Sequence, residues 1–246
     1  MKEKKQAKLT DDTNLARALS EVLRKLDPAP DVILLQEIWS VAARDILKES
    51  LRETWPHAAH APEVRLGDIA FQPSGLLLLS RHPLSDFRYH RFTQAIGLEF
   101  AANKGILGAR LDIAGRPVAI FTTHLEAGNR QDPAVRASQL SECSAFMAEY
   151  TKADPQTLPI LAGDFNIRST EPDAYAAIFK NIPGFKDTFR AECSELQYTG
   201  RFSDEPTRRI DYFLVPDATR AYSIIIDPAG KTIADHHAIL GYVAIE

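Results

Sequence analysis

Apolar residues recur at Leu15, Ala18, Leu19, Val22, Leu23 and Leu26, the spacing of a helix that turns one stripe toward a core. Asp12 or Thr13 is placed to cap its first turn. Residues 1–12 are mostly Lys, Glu and Gln around a single Leu and read as a disordered or frayed start, while Pro28 and Pro30 close the helix. The period then changes. Val32 to Leu35 is a short run rich in branched residues, the signature of a buried strand, and a helix is expected over 41–54. Gly75 to Ser80, Leu107 to Ile113 and Val118 to Thr123 read as strands, the last two joined into a hairpin by Gly115-Arg116-Pro117. Val135, Leu140, Cys143, Phe146 and Met147 share one face of a helix over 133–150. A strand over 159–162, a helix over 172–179, and strands over 210–215 and 238–245 complete the pattern. Many strands and several helices without strict alternation predict a two-sheet sandwich with helices outside. With no repeat and no linker, residues 1–246 read as one domain.

Composition narrows the function classes. Hydrophobic residues make up 45% and charged residues 25%, ordinary values for a globular chain of 246 residues. The net charge of −4 supplies no basic field for non-specific capture of nucleic acid, although a bound cation can supply positive charge locally. Cys143 and Cys193 are too few for a disulfide framework and lack the spacing of a zinc site. No apolar run approaches the ~18 residues of a membrane-spanning helix. The basic start from Met1 to Lys8 has no apolar stretch behind it and so does not read as a cleavable leader. The location is left open: cytoplasmic, or secreted if the true N-terminus lies upstream.

The candidate chemistry lies at strand ends. Leu34-Leu35-Gln36-Glu37 ends one strand in an amide and a carboxylate, and Thr122-Thr123-His124-Leu125 ends another in a histidine. Ala162-Gly163-Asp164-Phe165-Asn166 ends a third with Asp and Asn two apart, on one side of an extended chain. Asp211 opens an apolar strand, where a buried carboxylate is costly unless paired or bound to metal. Asp235-His236-His237 precedes the last strand. Each piece alone is equally compatible with a turn, a cap or a hydrogen-bonded structural histidine. Brought to one edge of the sheets, they would converge on one pocket.

In this order the set resembles the endonuclease/exonuclease/phosphatase superfamily over roughly Asp31 to Glu246. The resemblance implies a four-layer α/β/β/α sandwich of two mixed, mainly antiparallel sheets flanked by helices. It also implies a divalent-metal-dependent phosphodiesterase using Mg²⁺ or Mn²⁺. Glu37 is implied as the principal metal ligand, with Asp235 binding metal directly or through water. Gln36 would stand behind the metal or against the substrate. Asp164 would orient or deprotonate the attacking water, and Asn166 would hold that water or a phosphoryl oxygen. His236 would contact phosphoryl oxygens or act as the base, with Asp211 fixing its tautomer. His124 would bond the phosphate or assist the leaving oxygen.

One feature departs from the family pattern: no strand ending in an active-site asparagine reads upstream of Thr13, and Asn14 at the helix start does not replace it. The expectation is a chain shortened at its start or a site that has lost one part. Asn103-Lys104-Gly105 and Thr123-His124-Leu125-Glu126-Ala127 resemble the neutral sphingomyelinase branch, with Glu126 where that branch carries glutamine. Lys104 would reach the substrate phosphate as a point charge. The expected partner is thus a phosphodiester in a phospholipid head group, with peripheral contact to a membrane. A nucleic acid is the alternative, gripped around Thr199, Arg201, Arg208 and Arg209. A third alternative is a degraded member that only binds. Oligomeric state is not readable.

Overall fold

The protein is described as a computed structural model over residues 2–63, 72–96, 102–127, 133–200, 208–228 and 233–245, with the side chains of 2–10 outside the description. Helix α1 (Lys2–Leu23) leads into strand β1 (Val32–Leu35) and helix α2 (Val41–Leu51), followed by β2 (His57–His60), β3 (Leu77–Ser80) and β4 (Ser85–Arg91). The hairpin β5 (Gly105–Ile113) and β6 (Arg116–His124), helix α3 (Pro133–Thr151), strand β7 (Leu158–Asp164) and helix α4 (Pro172–Asn181) come next. The chain continues through β8 (Phe185–Asp187), β9 (Asp211–Pro216), β10 (Ala221–Ile226) and β11 (Ala238–Val243).

Two strand systems face each other. The larger sheet has the order β4-β5-β6-β7-β9-β8; the other side holds the three-stranded β1-β3-β2 and the pair β10-β11. Pairing is antiparallel except between β6 and β7.

Period-2 alternation separates the layers. Leu77, Leu79 and Ile33 point outward onto α1 and α2, where they meet Ala16, Leu23, Leu47, Leu51 and Trp55. Their neighbours Leu76, Leu78, Val32 and Leu34 point inward onto Leu107, Ala109, Val118, Ile120, Leu158 and Ile160 of the large sheet. The far face of that sheet presents Ile106, Ala119, Phe121, Leu161 and Leu214 to Leu140, Cys143, Met147 and Tyr150 of α3 and to Ile178 of α4. The result is the four-layer α/β/β/α sandwich expected. Each fully buried Leu on β3 contributes about 1.5–3 kcal/mol.

Several boundaries differ from expectation. Helix α1 runs from Lys2, where a frayed start through residue 12 was expected, so Asp12 and Thr13 lie within it rather than capping it. Residues 2–8 are mostly Lys, Glu, Gln and Ala, all strong helix formers that an apolar period does not register. In the β5–β6 hairpin the turn is Ala114-Gly115, both at positive φ, and Arg116 and Pro117 already belong to the strand. Strands β2, β4, β8 and β10 had no sequence reading. Both cysteines are free, Cys143 buried and Cys193 exposed. Among the described residues no helix is long and apolar enough to cross a membrane.

Candidate active site

Strand pairing lines up three of the expected residues. His124 ends β6 opposite Asp164 at the end of β7, and Asp164 stands opposite Asp211 at the start of β9. Three neighbouring strands thus deliver an imidazole and two carboxylates in one row. Gly163 makes the close approach possible: it holds φ +150°, and a Cβ there would lie 2.1 Å from the Thr123 carbonyl oxygen. Beyond Asp164 the chain turns through Asn166 at φ 51°, whose backbone N–H donates to Asp164 Oδ1 (2.8 Å) and whose Nδ2 donates to the Leu125 carbonyl (3.2 Å).

His236 arrives from the loop before β11. Its Nδ1 lies 2.8 Å from Asp211 Oδ2, the expected dyad. Thr199, fully buried, holds the two ends of this arrangement. Its Oγ1 accepts the N–H groups of Ile210 and Asp211, and its carbonyl accepts that of His237. Burial opposes charge on His236, but Asp211, its hydrogen bond, Asp164 and Asp235 together outweigh that and push the imidazole up to about 10. Burial and the adjacent Asp211 push the Asp164 carboxyl up to about 7. Asp235 is exposed and contributes its charge beside His236.

On the other flank His124 is buried, with Nε2 3.1 Å from Lys104 Nζ, 3.6 Å from Asp164 Oδ2 and 3.9 Å from Glu37 Oε1. Burial, then the charges of Lys104 and His236, hold its pKa well below the usual histidine value. A neutral ring whose Nε2 accepts from the Lys104 ammonium carries its proton on Nδ1, which has no hydrogen-bond partner among the described residues. Lys104 is itself buried and also donates to the Leu125 carbonyl (3.0 Å). The expected reach of Lys104 to a phosphate would have to be made from within the site wall.

Glu37 and Gln36 come from the opposite sheet. After β1 the chain turns sharply: Glu37 takes φ 60°, Ile38 N–H donates to the Gly75 carbonyl and Trp39 N–H to the Glu37 carbonyl (each 2.9 Å), before Ser40 caps α2. Glu37 is exposed, whereas Gln36 Nε2 donates across the sandwich to Thr122 Oγ1 of β6 (3.0 Å). The turn also sets Trp39 beside His124, ring centroids 6.1 Å apart. Sequence reasoning passed over Trp39. The only signal was its place two residues after Glu37.

The carboxylates fit a hard cation. Asp164, Asp211 and His236 offer ligand atoms within 4.8 Å of one another, a group that excludes the two expected metal ligands, Glu37 and Asp235.

Two further expectations are resolved here. Glu126, at the position of the branch's glutamine, is buried, and its Oε2 accepts the Ile96 N–H (3.2 Å), so it supports a neighbouring loop. Arg209 is buried in an ion pair with Asp187 (2.6 Å), its guanidinium over the rings of Tyr175, Phe189 and Tyr212, and cannot grip a nucleic-acid backbone. Glu99, Phe100, Ala101 and Arg201 lie outside the described residues.

A model of the Endonuclease/Exonuclease/phosphatase family matches residues 5–236. The chain belongs to this family. Among curated members it is 31% identical over 172 residues to sphingomyelin phosphodiesterase 5 of Danio rerio, covering 62% of this chain and 31% of that protein. It is 26% identical over 165 residues to sphingomyelinase C of Listeria ivanovii, covering 61% and 49%. The chain thus spans between about a third and a half of the length of these relatives. The fold matches that of a Staphylococcus aureus beta toxin mutant with bound magnesium ions, at a TM-score of 0.78 and 16% identity over 94% of this chain and 92% of that one.

Proposed function

We propose that the protein hydrolyses a phosphodiester in a choline-phosphate lipid such as sphingomyelin, with Mg²⁺ or Mn²⁺ as its cation. The observation that carries this reading is the placement of buried Asp164 between an Asp211–His236 dyad and a Lys104–His124 pair, where burial and Asp211 raise its carboxyl. A base poised near the working pH accepts a proton most effectively, a contribution of roughly 10²–10⁴-fold. Asp164 takes the proton of the attacking water as that oxygen bonds to phosphorus. His236, held as an imidazolium by Asp211, donates to the phosphoryl oxygens, and Asn166 orients the water. The bond to the lipid alkoxide breaks on the Lys104–His124 side, where the departing oxygen takes up a proton from the Lys104 ammonium. These fixed donors stabilise the charge that develops in the transition state.

Glu37 and Asp235 are the proposed metal holders, because Asp211 and His236 already satisfy each other. The close group of Asp164, Asp211 and His236 favours a second arrangement, in which it forms the seat itself. When bound, the ion supplies positive charge to the phosphoryl group. The sphingomyelinase names of the curated relatives support the lipid substrate, and exposed Val41, next to the Glu37 loop, supports peripheral contact with lipid. A side-by-side assay with Mg²⁺ on sphingomyelin micelles, supercoiled plasmid and a soluble inositol phosphate tests it. Phosphocholine release is expected. Plasmid nicking without it would transfer the case to a nuclease, and inactivity on all three to a binding protein.

A further inference from the structure

Trp39 is an expensive residue to leave at the mouth of a site built from carboxylates. The other tryptophan, Trp55, is 1% exposed and donates its indole N–H to the Pro30 carbonyl (2.8 Å), as a core tryptophan does. Trp39 is only half-buried, and among the described residues its indole N–H has no hydrogen-bond partner. Its position is nevertheless fixed. A Cβ on Gly75 would stand 3.1 Å from Cε3 and Cζ3 of the indole, so the ring rests in a notch that only glycine leaves open. Gly75 also accepts the Ile38 N–H that forms the turn. One side of the indole edge is thus seated on backbone, and the ring lies 6.1 Å from His124, tilted 45° to it. Glu37, two residues earlier, presents an exposed carboxylate from the same turn, 3.9 Å from His124.

An anchored, accessible indole face is an environment for a quaternary ammonium, attracted to the negative ring face and poorly served by hydrogen bonds. In a choline phosphate the ammonium is joined to phosphorus through a two-carbon bridge. A group bound one ring away from the phosphoryl-binding histidine is therefore within its reach. We propose that Trp39 is the specificity residue of the site, selecting choline phosphodiesters by a cation–π contact. This inference rests on the phosphodiesterase reading given above and names the residue that reads its head group.

The test uses the full chain with Mg²⁺ and two chromogenic diesters, p-nitrophenyl phosphorylcholine and p-nitrophenyl 3,3-dimethylbutyl phosphate, in which an uncharged carbon replaces the ammonium nitrogen. The readout is the ratio of their kcat/KM values, which a general loss of activity does not move. The wild type is expected to prefer choline by roughly 5- to 30-fold, Trp39→Phe to keep part of that preference, and Trp39→Leu to bring the ratio close to one. A wild-type ratio near one, or a preference that survives Trp39→Leu, overturns the inference and leaves the phosphodiesterase reading standing. Cleavage of neither ester sinks that reading instead. A second measurement then decides on Trp39, since Trp55 is sealed in the core and Trp39 is the tryptophan accessible to ligand. Phosphocholine should quench tryptophan fluorescence where 3,3-dimethylbutyl phosphate at equal concentration does not. Equal responses to the two overturn the inference.

Discussion

Gly163→Ala is the substitution whose effect the structure defines most sharply. The new Cβ would lie 2.1 Å from the Thr123 carbonyl oxygen and 2.9 Å from the Thr123 nitrogen, both backbone atoms that cannot swing away. Ordinary van der Waals contact begins near 3.4 Å, so β6 and β7 must part locally by about 1.3 Å. Overpacking of this kind costs about 1–3 kcal/mol, and holding alanine near φ +150° adds about 1–3 kcal/mol more. A loss of about 3 kcal/mol or more in a chain of this size lowers Tm by about 6–12 °C. The backbone term can be isolated with Gly115→Ala, where φ is +84° but a Cβ meets nothing within 4 Å. That control should cost about 1 kcal/mol, or about 2–4 °C. Thr123 pairs with Gly163 one step before His124 pairs with Asp164, so the same displacement reaches the reacting groups. A misplacement of 1 Å costs about 10²-fold in turnover, which Gly115→Ala should not share. Thermal melts and phosphodiester hydrolysis on both variants check this. A Tm for Gly163→Ala no lower than that of Gly115→Ala would refute the clash argument.

Four other outcomes follow from the site. Asp164→Asn and His236→Ala should each lower turnover by at least about 10²-fold in chains that still fold, with His236→Ala also melting lower because it strands the buried Asp211 carboxylate; near-wild-type rates in both would remove them from the machinery. Glu37→Ala should abolish Mg²⁺ binding by calorimetry if Glu37 holds the ion, whereas loss confined to Asp211→Ala would move the ion to the Asp164–Asp211–His236 group. His236 is raised from 6.5 to about 10 in the folded protein, so its stabilisation is complete below about pH 6.5 and is lost as pH rises toward 10. Asp164, raised to about 7, opposes folding increasingly from about pH 4 to pH 7. Chelated protein should therefore melt higher at pH 6 than at pH 9, with a flatter trend in Asp211→Asn; equal slopes would show that the dyad is not coupled to folding. Arg209→Ala, which strands the buried Asp187 carboxylate, should destabilise by about 3–5 kcal/mol in urea titrations, and a neutral result would refute its structural role.

Much of this arrangement was legible because strand ends advertise themselves. An apolar run that breaks into Gln36-Glu37, His124 or Asp164 names both the element and the residue it delivers, and the Asp211–His236 pair was found where expected. What stayed hidden depends on contacts between distant segments. Strand β4, Ser-Asp-Phe-Arg-Tyr-His-Arg, lies at the edge of the large sheet with its first four residues exposed, so no apolar alternation betrays it. The lowered pKa of His124 is set by burial and then by Lys104, twenty positions earlier. The placement of Trp39 needed the positive φ of Glu37 and the notch at Gly75, neither of which the sequence shows. The burial of Arg209 against Asp187 stayed hidden because sequence does not reveal which way a charged side chain turns.

The hydrogen bond from Gln36 to Thr122 spans the two sheets, and it stands directly before Glu37 on one side and near His124 on the other. The site is therefore a seam, made of groups that meet only when the two halves of the sandwich are in register. A folding intermediate with the large sheet alone would carry His124, Asp164 and Asp211 yet lack Glu37. Recovery of turnover during refolding should then lag behind formation of the large sheet and coincide with closure of the sandwich, so that activity itself times the last step of assembly.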